Sequence, residues 1–245
     1  MGIIFAEKRT SLRLVQKNRF KDHLIVTVPD QTAVDARVSH HPDLSVFVHD
    51  KIYCESSICK SVFSQVERVY GRLYASQHVV CTEGKLGNHY PEDIRFNVLA
   101  LTNHMFHLLS ATDKQIINRS KLHKVNVRQG YTRCSCLPVG GNAIITEDES
   151  LGNVVAEMGY DVLVIERGHV VLEGFPYGFF GGTGGQIEEM IVFNGRLDLH
   201  PNHTQVKHFI ESRGLSIVEL HDERLVDCGS ILYYSKDEER KKCQS

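Results

Sequence analysis

The stretch Leu172-Glu-Gly-Phe-Pro-Tyr-Gly-Phe-Phe-Gly-Gly-Thr-Gly-Gly-Gln186 contains six of the 19 glycines in this chain of 245 residues. Glycine adopts positive φ angles at little steric cost and lets another backbone or a ligand come close. Four aromatic side chains lie among these glycines, and a solvated linker would place them badly. The stretch therefore predicts a crowded centre where strands or a ligand pack against bare backbone. The alternative interpretation is a flexible surface loop.

The overall composition is that of an ordinary soluble protein, with 42% hydrophobic and 24% charged residues and a formal net charge of −2. The near-neutral charge gives no electrostatic footprint for nucleic acid, so we expect no nucleic-acid partner. No apolar run approaches the roughly 18 residues that a membrane helix needs, so we expect no membrane partner. The first residues lack the basic region of a secretory signal, which favours a cytoplasmic location.

The cysteines and histidines are numerous but do not follow a recognised metal-binding pattern. The seven cysteines are irregularly spaced and include no CxxC pair, so we interpret them as free thiols in a reducing cytoplasm. Among 14 histidines, the pairs His104/His107 and His200/His203 invite a metal-binding interpretation. They lack a supporting carboxylate at a spacing such as HExxH, so we predict no metal and no cofactor.

Alternating strand and helix patterns divide the chain into three parts. We predict a basic N-terminal arm over residues 1–22, a single domain over 23–235 and a charged tail over 236–245. From Ile94 onward, the order strand, strand, helix, strand recurs at intervals of roughly 35–50 residues, a period typical of structural repeats. A Rossmann-like domain would also alternate strands and helices, but it would not need two consecutive strands before each helix.

Six sequence blocks resemble the pentein superfamily of guanidino-group-modifying enzymes, and in particular a bacterial pentein-like family without assigned function. The blocks are Tyr90-Pro-Glu-Asp-Ile-Arg-Phe-Asn97, Gln129-Gly-Tyr-Thr-Arg-Cys-Ser135, Ala143-Ile-Ile-Thr-Glu-Asp148, Leu172–Gly182, Leu199-His-Pro-Asn202 and Asp227-Cys-Gly-Ser-Ile231. The resemblance implies an α/β fold of pentein type, an α/β propeller with pseudo-fivefold strand-strand-helix-strand units.

The resemblance also implies a site on the axis of such a propeller, where acidic side chains hold a guanidinium or amidine group. In this sequence Glu173 resembles the acid of the superfamily's glycine-rich motif, His200 the proton-transferring histidine, and Cys228 the nucleophile of the last unit. Two departures are visible. Phe175-Pro176 replace the expected Gly-Asp, and Cys228 comes before its glycine, whereas the enzymes generally place the nucleophile after their glycines.

These residue types suit attack on a planar cation. Carboxylates bind a guanidinium through paired hydrogen bonds, a thiolate attacks its carbon, and histidine transfers protons near neutral pH. Asp227 would raise the pKa of the adjacent Cys228 unless its side chain points to the other face of a strand. The alternative for Cys228 is a buried core thiol. We expect Glu173 to line the mouth of an axial pocket, because an acid after an apolar strand needs a partner.

Two further residues are candidates for substrate binding, Asn97 and Cys134. Cys134 is also the rival nucleophile, although a pair of core thiols with Cys136 explains it equally well. A phosphate cradle formed by Gly181–Gly185 is disfavoured, because the segment lacks the GxxxxGK[ST] pattern.

The sequence thus supports two hypotheses. The first is a Cys-dependent hydrolase or transferase acting on a guanidine, amidine or related C–N bond, with a small cationic or amidine-containing molecule as its partner. The second is a catalytically silent pentein that binds a small molecule or a protein. The position of Cys228 favours the second, and the acid, histidine and glycine matches favour the first.

Overall fold

The protein is mixed α/β in a computed structural model that describes residues 1–235, so the tail predicted over residues 236–245 lies outside the described residues. Within the described part, the strands are β1 Ile3–Ala6, β2 Leu24–Thr27, β3 Val46–Val48, β4 Ile52–Cys54, β5 Val79–Cys81, β6 Leu99–Ala100, β7 His104–His107, β8 His123–Asn126, β9 Cys136–Val139, β10 Ala143–Thr146, β11 Asp161–Val164, β12 Gly184–Ile187, β13 Met190–Phe193, β14 Ser216–Glu219 and β15 Leu232–Tyr234. The α-helices are α1 Lys8–Gln16, α2 Ser56–Tyr70, α3 Arg72–His78, α4 Lys114–Arg119, α5 Thr132–Ser135, α6 Glu149–Glu157 and α7 His203–Glu211.

The strands form five three-stranded sheets, in the orders β15-β1-β2, β3-β4-β5, β6-β7-β8, β9-β10-β11 and β12-β13-β14. In each sheet the middle strand pairs antiparallel with the first strand named and parallel with the third. A helix links each parallel pair, as α6 links β10 to β11. The predicted order of strand, strand, helix and strand is therefore confirmed.

The first sheet joins the two ends of the described chain. Strand β1 pairs parallel with β2, and Ile3, Ile4 and Phe5 pair antiparallel with residues of β15. All four residues of β1 are buried, and α1 follows it directly. The prediction of an N-terminal arm over residues 1–22 is therefore wrong. The basic residues of α1 and of the turn after it give residues 1–22 the composition of an exposed arm. They obscure the short apolar strand β1 that precedes them.

Helix α2 shows how local sequence sets the ends and packing of an element. The side chain of Glu55 caps its first turn by accepting a hydrogen bond from the backbone N–H of Ser57, at 2.6 Å. The apolar face of α2 is buried, and its residues are Ile58, Cys59, Val62 and Val66. The helix ends at Gly71, whose φ of 85° lies in the left-handed region that glycine adopts without strain.

Burial falls from the middle strand to the third strand of each sheet. Every residue of β4 and β10 is buried, whereas β8 and β11 contain no buried residue. The third strands β8 and β11 consequently lie at the surface, whereas two of the three residues of β5 are buried. The first strands, which have only one partner strand each, leave their other edge free for the interior.

Two sequence-based interpretations change in the structure. Cys59 and Cys81 form a disulfide with a Cα–Cα distance of 5.4 Å, so the interpretation of all cysteines as free thiols is wrong for this pair. The free cysteines of the described part are all buried, and they are Cys54, Cys134, Cys136 and Cys228. Among residues 1–235, no helix is both long and apolar enough to cross a membrane.

Candidate functional site

The glycine-rich stretch has two parts with different environments. Glu173–Tyr177 runs along the surface, whereas Gly181–Thr183 forms a buried 3-10 turn that leads into β12. A Cβ atom on Gly181 would lie 2.5 Å from the carbonyl oxygen of Cys134, and one on Gly182 would collide with the carboxylate of Asp227. The predicted crowded centre is thus confirmed for the second part, and the groups packed against it define the candidate site.

Asp227 is the first of two buried acids at this centre. Its side chain accepts hydrogen bonds from the backbone N–H groups of Phe179, at 2.9 Å, and Gly229, at 3.0 Å. Burial raises the pKa of Asp227 to about 6, against the lowering effect of those two bonds. Asp227 therefore carries a proton for part of the time near neutral pH, and a bound cation would favour its ionised form.

Asp43 is the second buried acid, and it comes from a distant part of the chain. Its Oδ2 atom accepts a hydrogen bond of 2.6 Å from the hydroxyl of Ser230, and its backbone N–H donates to the carbonyl oxygen of Gly229 at 3.1 Å. Its Oδ1 atom is buried without a hydrogen-bond partner. Burial raises the pKa of Asp43. A buried acceptor without a donor is uncommon in folded proteins and marks a place where a ligand can bind.

His41 lies beside both acids. Its Nδ1 atom is 3.8 Å from Oδ1 of Asp227, and its Nε2 atom is buried without a hydrogen-bond partner. Gly229, with a φ of 70°, packs directly against the backbone of His41 and has no room for a Cβ. Burial lowers the pKa of His41 to about 4, so the imidazole is neutral at pH 7 and able to accept a proton.

Asn97 and Cys134, two predicted substrate-binding residues, are brought together. The Asn97 side chain accepts hydrogen bonds from the backbone N–H groups of Arg133 and Cys134, at 2.9 and 3.1 Å. Its amide nitrogen lies 2.7 Å from the sulfur of Cys134. These contacts stabilise the first turn of the short helix α5. Burial, followed by the neighbouring carboxylates of Asp43 and Asp227, raises the pKa of the Cys134 thiol well above its ordinary value.

Cys228, the predicted nucleophile, lies at the same centre and is 3% exposed. Its thiol donates to the carbonyl oxygen of Gly182 at 3.3 Å. Burial raises the pKa of Cys228, and the adjacent Asp227 raises it further. In this arrangement Cys228 is a thiol and becomes nucleophilic only when the surrounding charge changes.

Arg133 supplies the one guanidinium that contacts this cluster among the described residues. It donates three hydrogen bonds to backbone carbonyl oxygens, those of Cys136 and Gly181 at 3.0 Å and that of Gly184 at 3.1 Å. Burial lowers its pKa, while the nearby Asp43 favours its charged form. Arg133 therefore ties the glycine turn to strand β9 and contributes positive charge to the group of acids and thiols.

His200, the predicted proton donor, lies on the other side of Phe180 from Asp43 and Asp227. It is 2% exposed, its ring packs edge-on against Phe180 with centroids 5.5 Å apart, and burial lowers its pKa to about 4. The backbone N–H of Phe180 donates to Oε2 of Glu147, whose pKa burial raises to about 7. Among residues 1–235, no hydrogen bond or ring contact joins His200 to Cys228. Phe180 and the glycine turn separate them.

Glu173 is an exposed residue and lines neither of the two principal cavities. The apolar strand expected before Glu173, over Val170–Leu172, is only a single bridge between Val171 and Val226. No strand therefore directs Glu173 toward the interior of the protein. The expectation that Glu173 lines an axial pocket is therefore wrong. Its neighbour Gly174 instead accepts a surface hydrogen bond of 2.8 Å from Arg37.

Sequence reasoning missed His41, Asp43 and Glu147 as members of the site. The segment His40-His41-Pro42-Asp43 looked like an ordinary turn before a strand, and Glu147 like the first residue of a helix. One signal was available, because an acid directly before an apolar strand needs a partner when it is buried.

The fold is pentein-like. The structure is similar to a variant of dimethylarginine dimethylaminohydrolase that forms an adduct with S-methyl-L-thiocitrulline, with a TM-score of 0.53, 10% identity, and coverage of 89% of this chain and 91% of that one. It is also similar to another variant of the enzyme from Pseudomonas aeruginosa, complexed with citrulline, with a TM-score of 0.51 and the same identity and coverage. A third similar structure is AgrE with ornithine and NAD+, with a TM-score of 0.51 and 11% identity, covering 94% of this chain and 38% of that one.

Residues 5–232 match a protein family described as a family of unknown function, DUF6873, and the chain belongs to that family. A search of curated proteins finds no significant match to the sequence. At 10–11% identity, the similar structures establish the fold alone.

Proposed function

We propose that this protein is a Cys-dependent hydrolase or transferase that acts on a guanidine, amidine or related C–N bond. The observation that carries the proposal is the grouping of two buried carboxylates, Asp43 and Asp227, with the thiols Cys134 and Cys228 and a neutral imidazole, His41. A guanidinium or amidinium ion would compensate both acids and supply a donor for the unpartnered oxygen of Asp43.

Binding of such a cation would also activate the nucleophile. In the structure, burial and the carboxylate of Asp227 keep Cys228 protonated. A cation held by Asp43 and Asp227 would cancel their repulsive effect on a thiolate and lower the pKa of the thiol. We assign receipt of the proton that Cys228 releases to His41, which is neutral at pH 7 and whose Nδ1 atom lies 3.8 Å from Oδ1 of Asp227. Binding of the substrate would thereby promote the attack of Cys228 on that substrate.

The chemistry follows from these roles. The thiolate of Cys228 attacks the central carbon, forming a C–S bond, and the C–N bond to the leaving amine breaks as that nitrogen takes a proton. Water then adds to the same carbon and displaces the thiolate, giving a urea from a guanidine. An amine in place of water would make the reaction a transfer. His200, predicted as the proton donor, is neutral at pH 7 and lies on the far side of Phe180, so we assign delivery of the proton to the leaving amine to His41, which takes it from Cys228.

Access to the site would require movement of the segment that carries Phe179. Both thiols are 3% exposed. The rings of Phe179 and Tyr131 stack with centroids 6.1 Å apart, both are half-buried, and the backbone N–H of Phe179 bonds the acid Asp227. A substrate cation that displaces this N–H from Asp227 would enter between the two rings.

The finer description of the fold is also a proposal. Five three-stranded sheets of the same strand order and the pairing of β15 with β1 support a pentein α/β propeller with pseudo-fivefold units. Two of the structurally similar proteins are named as dimethylarginine dimethylaminohydrolases, which agrees with a small cationic molecule as the partner.

Labelling with 2-chloroacetamidine tests the proposed activity, because this probe carries an amidinium cation and alkylates a thiol. We expect rapid modification of Cys228, located by mass spectrometry, and protection by excess guanidino compounds. Cys228→Ser should abolish the fast labelling, whereas Cys54→Ser should not change it, since Cys54 is a buried thiol away from the two acids. Fast labelling that survives Cys228→Ser and disappears in Cys134→Ser would move the nucleophile to Cys134.

The second candidate is a catalytically silent pentein that binds a small molecule or a protein. The burial of both thiols and their raised pKa values favour it. Its signature would be uniformly slow labelling of the cysteines, with no protection by guanidino compounds. That result would refute the enzyme proposal.

A further inference from the structure

A cavity of about 540 Å³ is lined by Arg133 and by residues from each of the five sheets, but not by His41 or Asp227. The contributing strands are the ones that pair antiparallel with the middle strand of each sheet, β3, β6, β9, β12 and β15. Their residues in the wall are Val46, Phe47, Val48, Ala100, Pro138, Gln186, Leu232 and Tyr233. The cavity is therefore lined by the free edges of five strands, and we call it the axial cavity.

The hydrogen-bond pattern of β3 shows which backbone groups point into the axial cavity. Backbone bonds join Glu55 to Ser45 and His49 to Lys51, so odd-numbered residues of β3 face its partner β4. In an antiparallel pair, alternate residues turn their N–H and C=O groups to the opposite edge. The backbone groups of Val46 and Val48 consequently face the cavity that both residues line.

Strands β6 and β12 repeat the arrangement. The bond from Leu101 N–H to His104 turns odd-numbered residues of β6 toward β7, which directs the backbone of Ala100 to the axial cavity. In β12 the bond from Asn194 N–H to Thr183 has the same consequence for Gln186. Apart from pairing within the sheets, no backbone hydrogen bond involves the N–H groups of Val48, Ala100 or Gln186 among residues 1–235. These groups remain available to a ligand.

The charges around the axial cavity favour an anion. Arg133 lies in its wall, and only three of the five N–H donors of its guanidinium bond protein carbonyl groups. Lys121 is an exposed second cation in the wall. The one acid in the wall is Asp50. Its Oδ1 atom accepts a hydrogen bond from the hydroxyl of Tyr53 and lies 3.8 Å from Nδ1 of His49. The two permanent cations therefore exceed the single, already partnered, acid.

We propose that the axial cavity is a binding site for a small monocarboxylate with a short apolar body. The carboxylate would bind the free donors of Arg133, with Lys121 adding attraction. The apolar body would contact the wall residues Val98, Leu101 and Leu232. Because Arg133 also bonds Gly181 of the catalytic turn, occupation of this site would be felt at the acids and thiols. The site differs in position and charge preference from the proposed cation site and does not depend on its activity.

Titration of the full-length protein with butyrate, followed by backbone amide NMR, tests the proposal. We expect saturable shifts of the amide signals of Val48, Ala100 and Gln186, whose N–H groups face the axial cavity. Butyramide, which has the same shape without the charge, should bind at least about tenfold more weakly, since hydrogen bonds to charged groups are the stronger ones.

Two surface variants separate a specific site from general attraction of anions. Lys121→Gln should raise the Kd for butyrate roughly three- to tenfold, the scale of one partly screened charge. Lys60→Gln removes an exposed lysine of α2 that does not line the cavity and should leave the Kd unchanged. Both positions are exposed, so neither variant threatens the fold.

Three results would overturn the proposal. One is the absence of saturable shifts at about 10 mM butyrate, a concentration well above a millimolar Kd. Another is equal binding of butyrate and butyramide, or equal Kd values in Lys121→Gln and Lys60→Gln. The third is a set of shifts centred away from the strands that line the cavity.

Discussion

The carboxylate of Asp43 and the hydroxyl of Ser230 form a hydrogen bond of 2.6 Å although 187 residues separate them in the chain. Ser230 holds a φ of 68°, unusual for a residue other than glycine, and its hydroxyl also lies 3.2 Å from the carbonyl oxygen of Gly181. The bond connects the segment before β3 to the segment before β15. The position of Asp43 therefore depends on the last part of the fold.

Ser230→Ala should destabilise the protein by about 1–3 kcal/mol, because it leaves Oδ2 of a buried acid without a donor. Urea denaturation at pH 7 measures this change. Ser64→Ala, at an exposed position on α2, serves as the control and should stay within about 0.5 kcal/mol of the wild type. Equal effects of the two substitutions would show that the bond between Ser230 and Asp43 contributes nothing.

Asn97→Ala should lower stability by about 1–3 kcal/mol. The substitution removes the side-chain acceptor of the buried Cys134 N–H, whereas the Arg133 N–H keeps its bond to the backbone carbonyl oxygen of residue 97. Thermal unfolding followed by circular dichroism gives the effect. Asn153→Ala, on the exposed side of α6, should leave the melting temperature nearly unchanged. An unchanged melting temperature in Asn97→Ala would mean that other acceptors replace the side chain.

Asp227→Asn should change the dependence of stability on pH. The folded protein holds the Asp227 proton up to about pH 6, whereas the unfolded chain releases it near 3.8. Asp227 therefore lowers the free energy of unfolding as the pH rises from about 4 to 6. The stability difference between Asp227→Asn and wild type should shift in favour of the variant over this interval, by up to about 3 kcal/mol. Denaturant titrations at several pH values measure it, and a constant difference would contradict the raised pKa.

His41→Gln should produce the opposite change in the same interval. Burial lowers the pKa of His41 from 6.5 to about 4, so the unfolded chain takes up a proton first as the pH falls. The contribution of His41 to stability is then lost between about pH 6.5 and 4. The free energy of unfolding of the variant should therefore rise relative to that of the wild type as the pH is lowered. If both variants shift in the same direction, one of the two assigned protonation states is incorrect.

Glu173→Gln should change neither the melting temperature nor the affinity for any ligand of the buried site. Glu173 is exposed, and surface substitutions of this kind are usually within about 0.5 kcal/mol. Chloroacetamidine labelling and thermal unfolding of the variant give both answers. A loss of labelling rate would place Glu173 at the site after all.

The order of strands and helices was predictable, because apolar periodicity is a local property of the sequence. The buried strands β10 and β13 and the helices α2 and α6 lie close to where that periodicity placed them. The arm was mispredicted because β1 is only four residues long, and its burial depends on β15 at the other end of the described chain.

The candidate site was only partly predictable for the same reason. Cys228, Asn97 and Cys134 come from motifs that resemble a known superfamily, and the structure brings them to one centre. Asp43 and His41 belong to the candidate site because they are buried beside Ser230 and Asp227. These partners are remote in sequence, so a local pattern could not reveal them. The local pattern before Glu173 predicted a strand leading to a pocket, and this prediction is wrong because only a single bridge forms there.

The pairing of β1 with β15 also governs how the chain folds during synthesis. The ribosome releases Leu232–Tyr234 more than two hundred residues after Ile3–Ala6, so the first sheet cannot be completed until that later segment has emerged. At about 5–20 residues per second, the fully buried residues of β1 wait for at least roughly ten seconds without their antiparallel partner. During that time an apolar strand edge is open to chaperones and to other nascent chains.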